Sequence, residues 1–124
     1  MNSEQFKDKV IEILSQDYKI EFLGENFNKI VSQLSETKTD RIFSWIQEVI
    51  DKRIRPIMVN TDESYKQFKM NQLLVFRYPL NIEGNEYRIL LVKIKNSFYL
   101  EFHFGDHEYD DDVRKELGLK KSSS

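Results

Sequence analysis

Three consecutive segments with strand-like patterning constrain the fold of this chain most strongly. From residue 98 to residue 104, apolar and polar side chains alternate strictly in the order Phe98, Tyr99, Leu100, Glu101, Phe102, His103 and Phe104. This alternation places the apolar groups on one face of a strand and the polar groups on the other. Apolar runs at 73–80 and 87–95 precede it with short turn-like links, so we expect an antiparallel meander of three strands. Pro79 indicates that the first of these strands lies at an edge or ends near that residue.

Helical spacing dominates the first half of the chain. Apolar residues recur three or four positions apart at 6–14, 27–34 and 42–50, which predicts three helices. A short strand is predicted at 18–22, where the pattern alternates. The polar break at 35–39 predicts that the second and third helices form an antiparallel hairpin. The cations at 52–55 and then Pro56 are expected to end the third helix, and 57–72 fits either a short helix or an extended segment.

The C-terminal part reads as a strand end, a turn and a last helical turn. Gly105 is expected to close the last strand, and the acidic segment 106–112 to form a solvated turn. A helical turn is predicted at 113–119, and 120–124 is a polar tail that is expected to fray. We therefore predict a single α+β domain, 1–124, in which an antiparallel β-sheet carries a helical hairpin packed on one face. Residues 1–16 add an N-terminal helix, and 17–119 form the core.

Composition excludes several classes of function. The chain has 124 residues and no cysteine, which excludes a disulfide scaffold, a cysteine nucleophile and a zinc site built on thiolates. The formal net charge of −2 gives no overall attraction to nucleic acid or to an anionic membrane. No apolar run approaches the roughly 20 residues that span a bilayer. The polar N-terminus lacks signal-peptide features, so we expect a cytoplasmic protein without a membrane partner.

From Tyr18 onward, the order of elements resembles the RelE/ParE superfamily of toxins from toxin–antitoxin pairs. A strand leads directly into a helical hairpin, and a β-rich region follows that ends in Gly105-Asp106-His107. Within this region, Gly84-Asn85-Glu86-Tyr87-Arg88-Ile89 is similar to the family's Gly-x-Tyr-Arg-hydrophobic stretch. The resemblance covers roughly 90 residues and rests on pattern. It implies a RelE-like fold for 17–119.

The resemblance implies two alternative activities. RelE-like members cleave messenger RNA in the ribosomal A site, where the 2′-hydroxyl of the RNA attacks the adjacent phosphate. This chemistry needs a base, cations beside the phosphate and an acid, but no metal or other cofactor. ParE-like members share the fold and act on DNA gyrase, so the fold does not decide the activity. A cognate antitoxin is the implied partner, and the ribosome with its mRNA would be the target of a nuclease.

The resemblance also nominates the site residues. Arg88 matches the arginine of the family's middle strand, and Arg77 lies where the preceding strand usually carries basic residues, so both would stabilise the phosphate. His107 falls where the last strand usually ends in an arginine, and a histidine there could act as acid or base. Tyr109 is the tyrosine of this region, two positions before the place that the family pattern expects, and would complete the catalytic set.

Three lysines are candidates for contacts to RNA. Lys66 and Lys69 lie in the ambiguous segment and could contact the RNA backbone. Lys93 could contribute to a basic–aromatic surface that stacks a base. The other members of this predicted surface are Tyr87, Tyr99 and His103.

Other interpretations of these residues stay open. The two arginines could face solvent and pair with Glu83 or Glu86. A metal site could be assembled from His103, Asp106, His107 and Asp110, but Gly105 is expected to break the register between them, and we predict no metal. The acids in 106–112 would repel RNA phosphates. A non-catalytic protein-interaction module that kept the RelE-like fold is therefore the alternative function.

Overall fold

The computed structural model describes residues 1–14, 18–24, 26–60, 72–95 and 97–116. Within these ranges the chain forms four helices and five strands. In chain order they are α1 (Ser3–Leu14), β1 (Lys19–Leu23), α2 (Phe27–Ser32), α3 (Glu36–Ile50), β2 (Ile57–Asn60), β3 (Gln72–Ile82), β4 (Asn85–Ile94), β5 (Tyr99–Asp106) and α4 (His107–Glu116). The predicted α+β class is confirmed.

All five described strands belong to one sheet in the order β1-β5-β4-β3-β2. The meander β3–β4–β5 is antiparallel, as predicted, but the sheet is mixed, because β1 pairs with β5 in parallel. The parallel pair aligns Lys19 with Tyr99 and Leu23 with His103. This pairing joins segments far apart in sequence, which local patterning cannot indicate.

Helices α1, α2 and α3 cover one side of the sheet, which we call the inner face. Its core is aromatic, and Phe6 of α1 contacts the rings of Phe27, Phe102 and Phe104 with centroid separations of 5.9 to 6.3 Å. Aromatic rings at these separations contribute beyond the area that they bury. The antiparallel packing of α2 against α3 is not confirmed. Helix α2 has only six residues, and α1 is the helix that packs against α3.

The turn between β3 and β4 is tighter than the predicted link. Glu83 and Gly84 both have positive φ angles, 51° and 87°, which is the signature of a two-residue type I′ hairpin turn. The side-chain oxygen of Asn81 accepts a hydrogen bond from the Gly84 amide at 2.9 Å. The strands therefore extend to Ile82 and from Asn85, which fixes the register of the meander.

Strand β2 resolves part of the ambiguous segment. It pairs antiparallel with β3, from Ile57 opposite Val75 to Asn60 opposite Gln72. The prediction from Pro79 was wrong, because β3 lies between β4 and β2 in the sheet and continues to Ile82. Pro79 is tolerated because it lies beyond the part of β3 that pairs with β2. Residues 61–71 lie outside the described ranges.

Several boundary predictions were wrong. Helix α3 ends at Ile50 without a basic residue in its last turn, so the cations at 52–55 follow the helix instead of ending it. Phe98 precedes β5 and is 66% exposed, although the alternation placed it on the buried face. Strand β5 continues through Gly105, and residues 107–112 are helical. The segment expected to be a solvated turn is therefore the first part of α4.

Among the helices of the described ranges, none is long and apolar enough to cross a membrane.

Candidate functional site

The side of the sheet opposite the inner face, here called the outer face, combines a small apolar cluster with buried charges. Helix α4 packs across β4 and β5 on this side. Val113 of α4 lies in a cluster with Leu73, Val75, Leu90 and Val92. The alternation of the strands brings polar side chains to the same face. They are Arg77 of β3, Arg88 of β4, and Tyr99, Glu101 and His103 of β5.

Three arginines converge on one carboxylate beneath α4, and we call this group the arginine cluster: Arg77, Arg88, Arg114 and Asp110. The Asp110 side chain is 1% exposed, with Oδ2 3.7 Å from Nε of Arg77 and 4.0 Å from Nη1 of Arg114. Arg88 interacts electrostatically with both Asp110 and Arg77. Its Nη1 donates to the Tyr87 carbonyl at 2.9 Å, and its Nη2 is 3.6 Å from Glu86. The cluster holds three cations and one buried carboxylate, and two further acids act on it, because Glu86 lies beside Arg88 and the charge of Asp111 acts on Arg77.

Burial controls the electrostatics of this cluster. Burial raises the pKa of Asp110, and the charges of Arg77, Arg114 and Arg88 act in the opposite direction. Within the described ranges, neither Asp110 carboxylate oxygen accepts a hydrogen bond, so the arginines oppose the cost of burial by charge alone. Burial likewise lowers the pKa of Arg77, whose side chain is 28% exposed.

In the described ranges, two guanidinium groups of the cluster, those of Arg77 and Arg88, each have an N–H donor without a hydrogen-bond acceptor. In the part of the chain that the structure describes, the buried Nε atoms of Arg77 and Arg88 donate no hydrogen bond. These two donors lie in a group that contains three guanidinium cations. An anion can exploit such an arrangement, because hydrogen bonds between ionised partners are the strong ones.

Next to the arginine cluster, three side chains form a hydrogen-bonded line that we call the Glu–His–Tyr chain. Nε2 of His103 is 2.8 Å from Oε1 of Glu101, and Nδ1 of His103 is 2.8 Å from the Tyr109 hydroxyl. The Glu101 side chain is 1% exposed and that of His103 is 7% exposed. Both ring nitrogens of this imidazole are therefore engaged by groups that can exchange protons with it.

The Glu–His–Tyr chain continues toward β1. The Tyr99 hydroxyl donates to Glu21 and lies 3.3 Å from Oε2 of Glu101. Burial raises the pKa of Tyr99, and the hydrogen bonds and charges of Glu21 and Glu101 raise it further. Tyr99 therefore remains protonated at neutral pH and separates two carboxylates that would otherwise repel each other.

Gly105 allows the two groups to approach each other. A Cβ at this position would lie 2.5 Å from Cδ1 of Tyr109, so only glycine lets this ring lie against β5. Gly105 is the cross-strand partner of Arg88, and His103 is two residues away along β5. Arg88 and His103 are thus diagonal neighbours on the outer face, within reach of long side chains.

The structure brings together three of the four predicted catalytic residues. Arg77, Arg88 and Tyr109 all lie on the outer face, although their predicted roles stay untested. His107 does not join them, because α4 begins at this residue. Positions 107 and 109 point about 200° apart on a helix, and Tyr109 contacts His103 instead.

His107 lies in an acidic environment. Its Nδ1 is 3.3 Å from Oδ2 of Asp111, and its side chain is 55% exposed. It lines a cleft of about 530 Å³ between α2, the β3–β4 turn and the start of α4, where three acids, Glu86, Asp106 and Glu108, outnumber the one lysine, Lys29. This position does not favour an RNA phosphate.

Lys93 is not on the outer face. Its Nζ donates to the Ile94 carbonyl at 3.1 Å and lies 6.0 Å from the Tyr18 ring centroid, and burial lowers its pKa. Tyr87 packs against the inner core, whereas Tyr99 packs in the outer cluster. The predicted basic–aromatic surface is therefore split between the two faces and does not exist as one surface. Lys66 and Lys69 lie outside the described residues.

The metal-site interpretation gains no support from the geometry. His103 lies on β5 and His107 on α4, with their polar partners in different directions. Across the described part of the chain, no group of three or more metal-ligating side chains is close enough to hold an ion.

Sequence reasoning missed Glu101 and Arg114 as members of the site, and it considered Asp110 only as a metal ligand. The alternation does identify the polar side of β5, but it predicts a solvated face, whereas Glu101 and His103 are buried. Asp110 and Arg114 are four residues apart, the spacing of neighbours on one helix face. The prediction of a turn at 106–112 hides that signal.

Comparisons of the chain with protein-family models, with curated proteins and with solved structures find no match. The function is therefore inferred from the residues and their geometry.

Proposed function

We propose that this chain is a toxin-like protein of a type II toxin–antitoxin pair that cleaves ribosome-bound mRNA without a metal. The observation that carries the proposal is the arginine cluster, in which Arg77, Arg88 and Arg114 converge beside the Glu–His–Tyr chain. Cleavage through the 2′-hydroxyl requires cations beside the phosphate and groups that move protons. Both kinds of group are present on one face of the sheet.

The order of elements in the structure also supports the proposal. From β1 onward the chain has a strand, two helices, the short strand β2 and the three-stranded meander, so the order agrees with the RelE/ParE resemblance apart from β2. The stretch that carries the resemblance, 84–89, forms the β3–β4 turn and the start of β4. It places Arg88 in the arginine cluster.

Each side chain of the site has a chemical role in this proposal. The arginines bind the scissile phosphate and neutralise the charge that develops on it, as preorganised donors do in phosphoryl transfer. Arg77 is the most exposed of the cluster and meets the RNA first. Asp110 holds the guanidiniums together between substrates, and an entering phosphate competes with its carboxylate. Tyr109 and His103 replace His107 as the proton-transfer groups.

The proposal is tested by induced expression in bacteria, followed by mapping of mRNA 5′ ends. We expect the wild-type chain to stop growth and to create new ends within translated codons. Arg88→Gln should reduce cleavage by about 10²–10³-fold, because one preorganised donor to the developing charge is lost. Arg41→Gln is the matched control, since Arg41 is an exposed arginine of α3. Co-expression of an antitoxin encoded beside the gene should restore growth.

Two results would overturn the proposal. One is an unchanged set of mRNA ends on induction of folded wild-type chain. The other is equal cleavage by wild type and Arg88→Gln, when circular dichroism shows that both are folded.

A second candidate is a non-catalytic protein-interaction module with the same fold. It is favoured by the buried Asp110 carboxylate, which already lies among the arginines, and by the acids that flank the start of α4. This candidate predicts that mRNA ends stay unchanged on induction of the wild-type chain and of each arginine variant.

A further inference from the structure

The Glu–His–Tyr chain has a defined direction for proton movement. Glu101 is a buried carboxylate whose Oε1 is 2.8 Å from Nε2 of His103. An ionised carboxylate only accepts hydrogen bonds, so a neutral imidazole in this position carries its proton on Nε2. Nδ1 is then an acceptor and receives the hydroxyl proton of Tyr109 at 2.8 Å.

We infer that Glu101, His103 and Tyr109 form a proton relay that makes Tyr109 the general base toward the RNA 2′-hydroxyl. This inference rests on the proposed function and describes how the general base of the proposed RNA cleavage works. The Tyr109 oxygen takes the 2′-hydroxyl proton while its own proton passes to Nδ1 of His103. The 2′-oxygen uses the released electron pair to attack the phosphorus and forms a 2′,3′-cyclic phosphate. The bond to the 5′-oxygen breaks, and this oxygen leaves with the electron pair and takes a proton from water to become a 5′-hydroxyl. His103 becomes an imidazolium beside the Glu101 carboxylate.

The surroundings of His103 suit this role. Glu101 supplies the negative charge that an imidazolium needs in a buried site, as the carboxylate does in a catalytic triad. In the part of the chain that the structure describes, the other charged or titratable groups near the imidazole are Tyr109 on α4, Arg88 as a diagonal neighbour on β4, and Glu21 on β1 through Tyr99. Arg88 is the diagonal cross-strand neighbour of His103, so the base and a phosphate-binding cation lie on the same part of the outer face. Tyr109 is the catalytic residue, and Glu101 and His103 are positioning residues.

Imidazole ¹⁵N NMR tests the relay without any assay of activity. The chain has only two histidines, so the spectrum contains the His103 ring and the exposed His107 ring as an internal reference. At pH 7.5 we expect His103 in the Nε2–H tautomer with a hydrogen-bonded Nδ1. Tyr109→Phe should shift the His103 Nδ1 resonance and leave His107 unchanged. An Nδ1–H tautomer, an imidazolium in the free protein, or an unmoved Nδ1 resonance in folded Tyr109→Phe would overturn the relay.

The cleavage assay gives the second readout. Tyr109→Phe should lower the rate by about 10²–10⁴-fold, the range of a general base, with little change in KM. Glu101→Gln should lower kcat. It should also shift the part of the pH–rate profile in which the rate increases with pH, because Glu101 acts on the protonation of His103. A purely structural role would not cause this shift. Tyr78→Phe, on the inner face, is the matched control.

Failure of the relay and failure of the proposed function are distinguishable. If the wild type cleaves RNA and Tyr109→Phe cleaves equally well, the relay is wrong and the nuclease stands. If the wild type cleaves no RNA, the nuclease is wrong, and the base role of Tyr109 is overturned with it. The tautomer experiment then still decides whether His103 is oriented as the geometry requires.

Discussion

The two faces of the sheet differ in the kind of side chain that they bury. The inner face is covered by three helices and packed with apolar and aromatic side chains, among them Phe6, Phe102 and Phe104, each 0% exposed. Among the described elements, only α4 covers the outer face, which buries Glu101, His103, Asp110 and Arg114. Burial of charge costs free energy unless pairing and hydrogen bonds offset it.

This difference shows which face is devoted to stability and which is available for chemistry. An apolar outer face of similar volume would be at least as stable as one with buried ion pairs. Buried groups with shifted pKa values that cluster beside one another are the pattern expected of a functional site. Here that pattern occurs on the outer face, where burial raises the pKa of Asp110 and lowers the pKa of Arg77.

The largest expected loss of stability comes from a substitution in the core of the inner face. Phe102→Ala should reduce the free energy of unfolding by about 3–5 kcal/mol, because it deletes a fully buried ring and leaves a cavity. Phe98→Ala, at the exposed end of the same alternating run, should change it by less than about 0.5 kcal/mol. Urea unfolding measures both. Equal losses for the two variants would show that the assigned faces are wrong.

The second effect probes the contact between α4 and the outer face. Gly105→Ala should destabilise the fold by about 1–3 kcal/mol, because the added methyl group overlaps the Tyr109 ring. In a Tyr109→Ala background the same substitution should cost much less. A double-mutant cycle by urea unfolding gives the coupling, and a value near zero would contradict the packing of Tyr109 on Gly105.

The third prediction concerns the pH dependence of stability that the buried Asp110 of the outer face causes. Asp110 has a raised pKa in the folded state, so its contribution to stability is fully present below the unfolded value, about 3.8, and is lost as pH rises through the folded pKa. Wild type should therefore lose stability relative to Asp110→Asn across that window, by about 1.4 kcal/mol for each pH unit that separates the folded pKa from the unfolded pKa. Urea unfolding from pH 3.5 to 8 measures the difference. A relative gain by the wild type would mean that the arginines outweigh burial.

The smallest stability effect separates function from folding. Arg77→Met should reduce the free energy of unfolding by no more than about 1 kcal/mol, because Arg77 is partly exposed and the charges of Arg114 and Arg88 still act on Asp110 after the change. It should nevertheless abolish most of the RNA cleavage. Arg41→Met is the control for a general loss of positive charge. A loss of more than about 3 kcal/mol in Arg77→Met would assign this arginine to stability instead.

The inner face could be predicted from the sequence because its cause is local. Alternation along β5 and helical spacing in α1 and α3 identify most of the residues that meet there. The α+β class follows from the order of these elements. Exposed Phe98 shows the limit of this reasoning, because alternation does not indicate where a strand begins.

The outer face could not be predicted because its contacts are made by elements that local pattern does not join. A polar strand face looks the same in sequence whether solvent or a helix covers it, so the pattern alone assigns Glu101 and His103 to solvent. Helix α4 is hidden by its acidic first turn, although acids there favour a helix N-terminus. Without α4, nothing pairs Asp110 with Arg77, and the site cannot be assembled.

The central claim is that the outer face binds the scissile phosphate of an RNA and catalyses cleavage there. A cleavage assay on ribosomes that carry a defined mRNA tests this claim most directly. Purified chain is added to ribosomes that hold end-labelled mRNA, either all-ribose or with one 2′-deoxy nucleotide at the cleaved position. We predict a single cut that leaves a 2′,3′-cyclic phosphate, a loss of about 10²–10³-fold with Arg88→Gln and no cut in the 2′-deoxy message. An uncut all-ribose message, or equal cutting by Arg88→Gln, would contradict the claim.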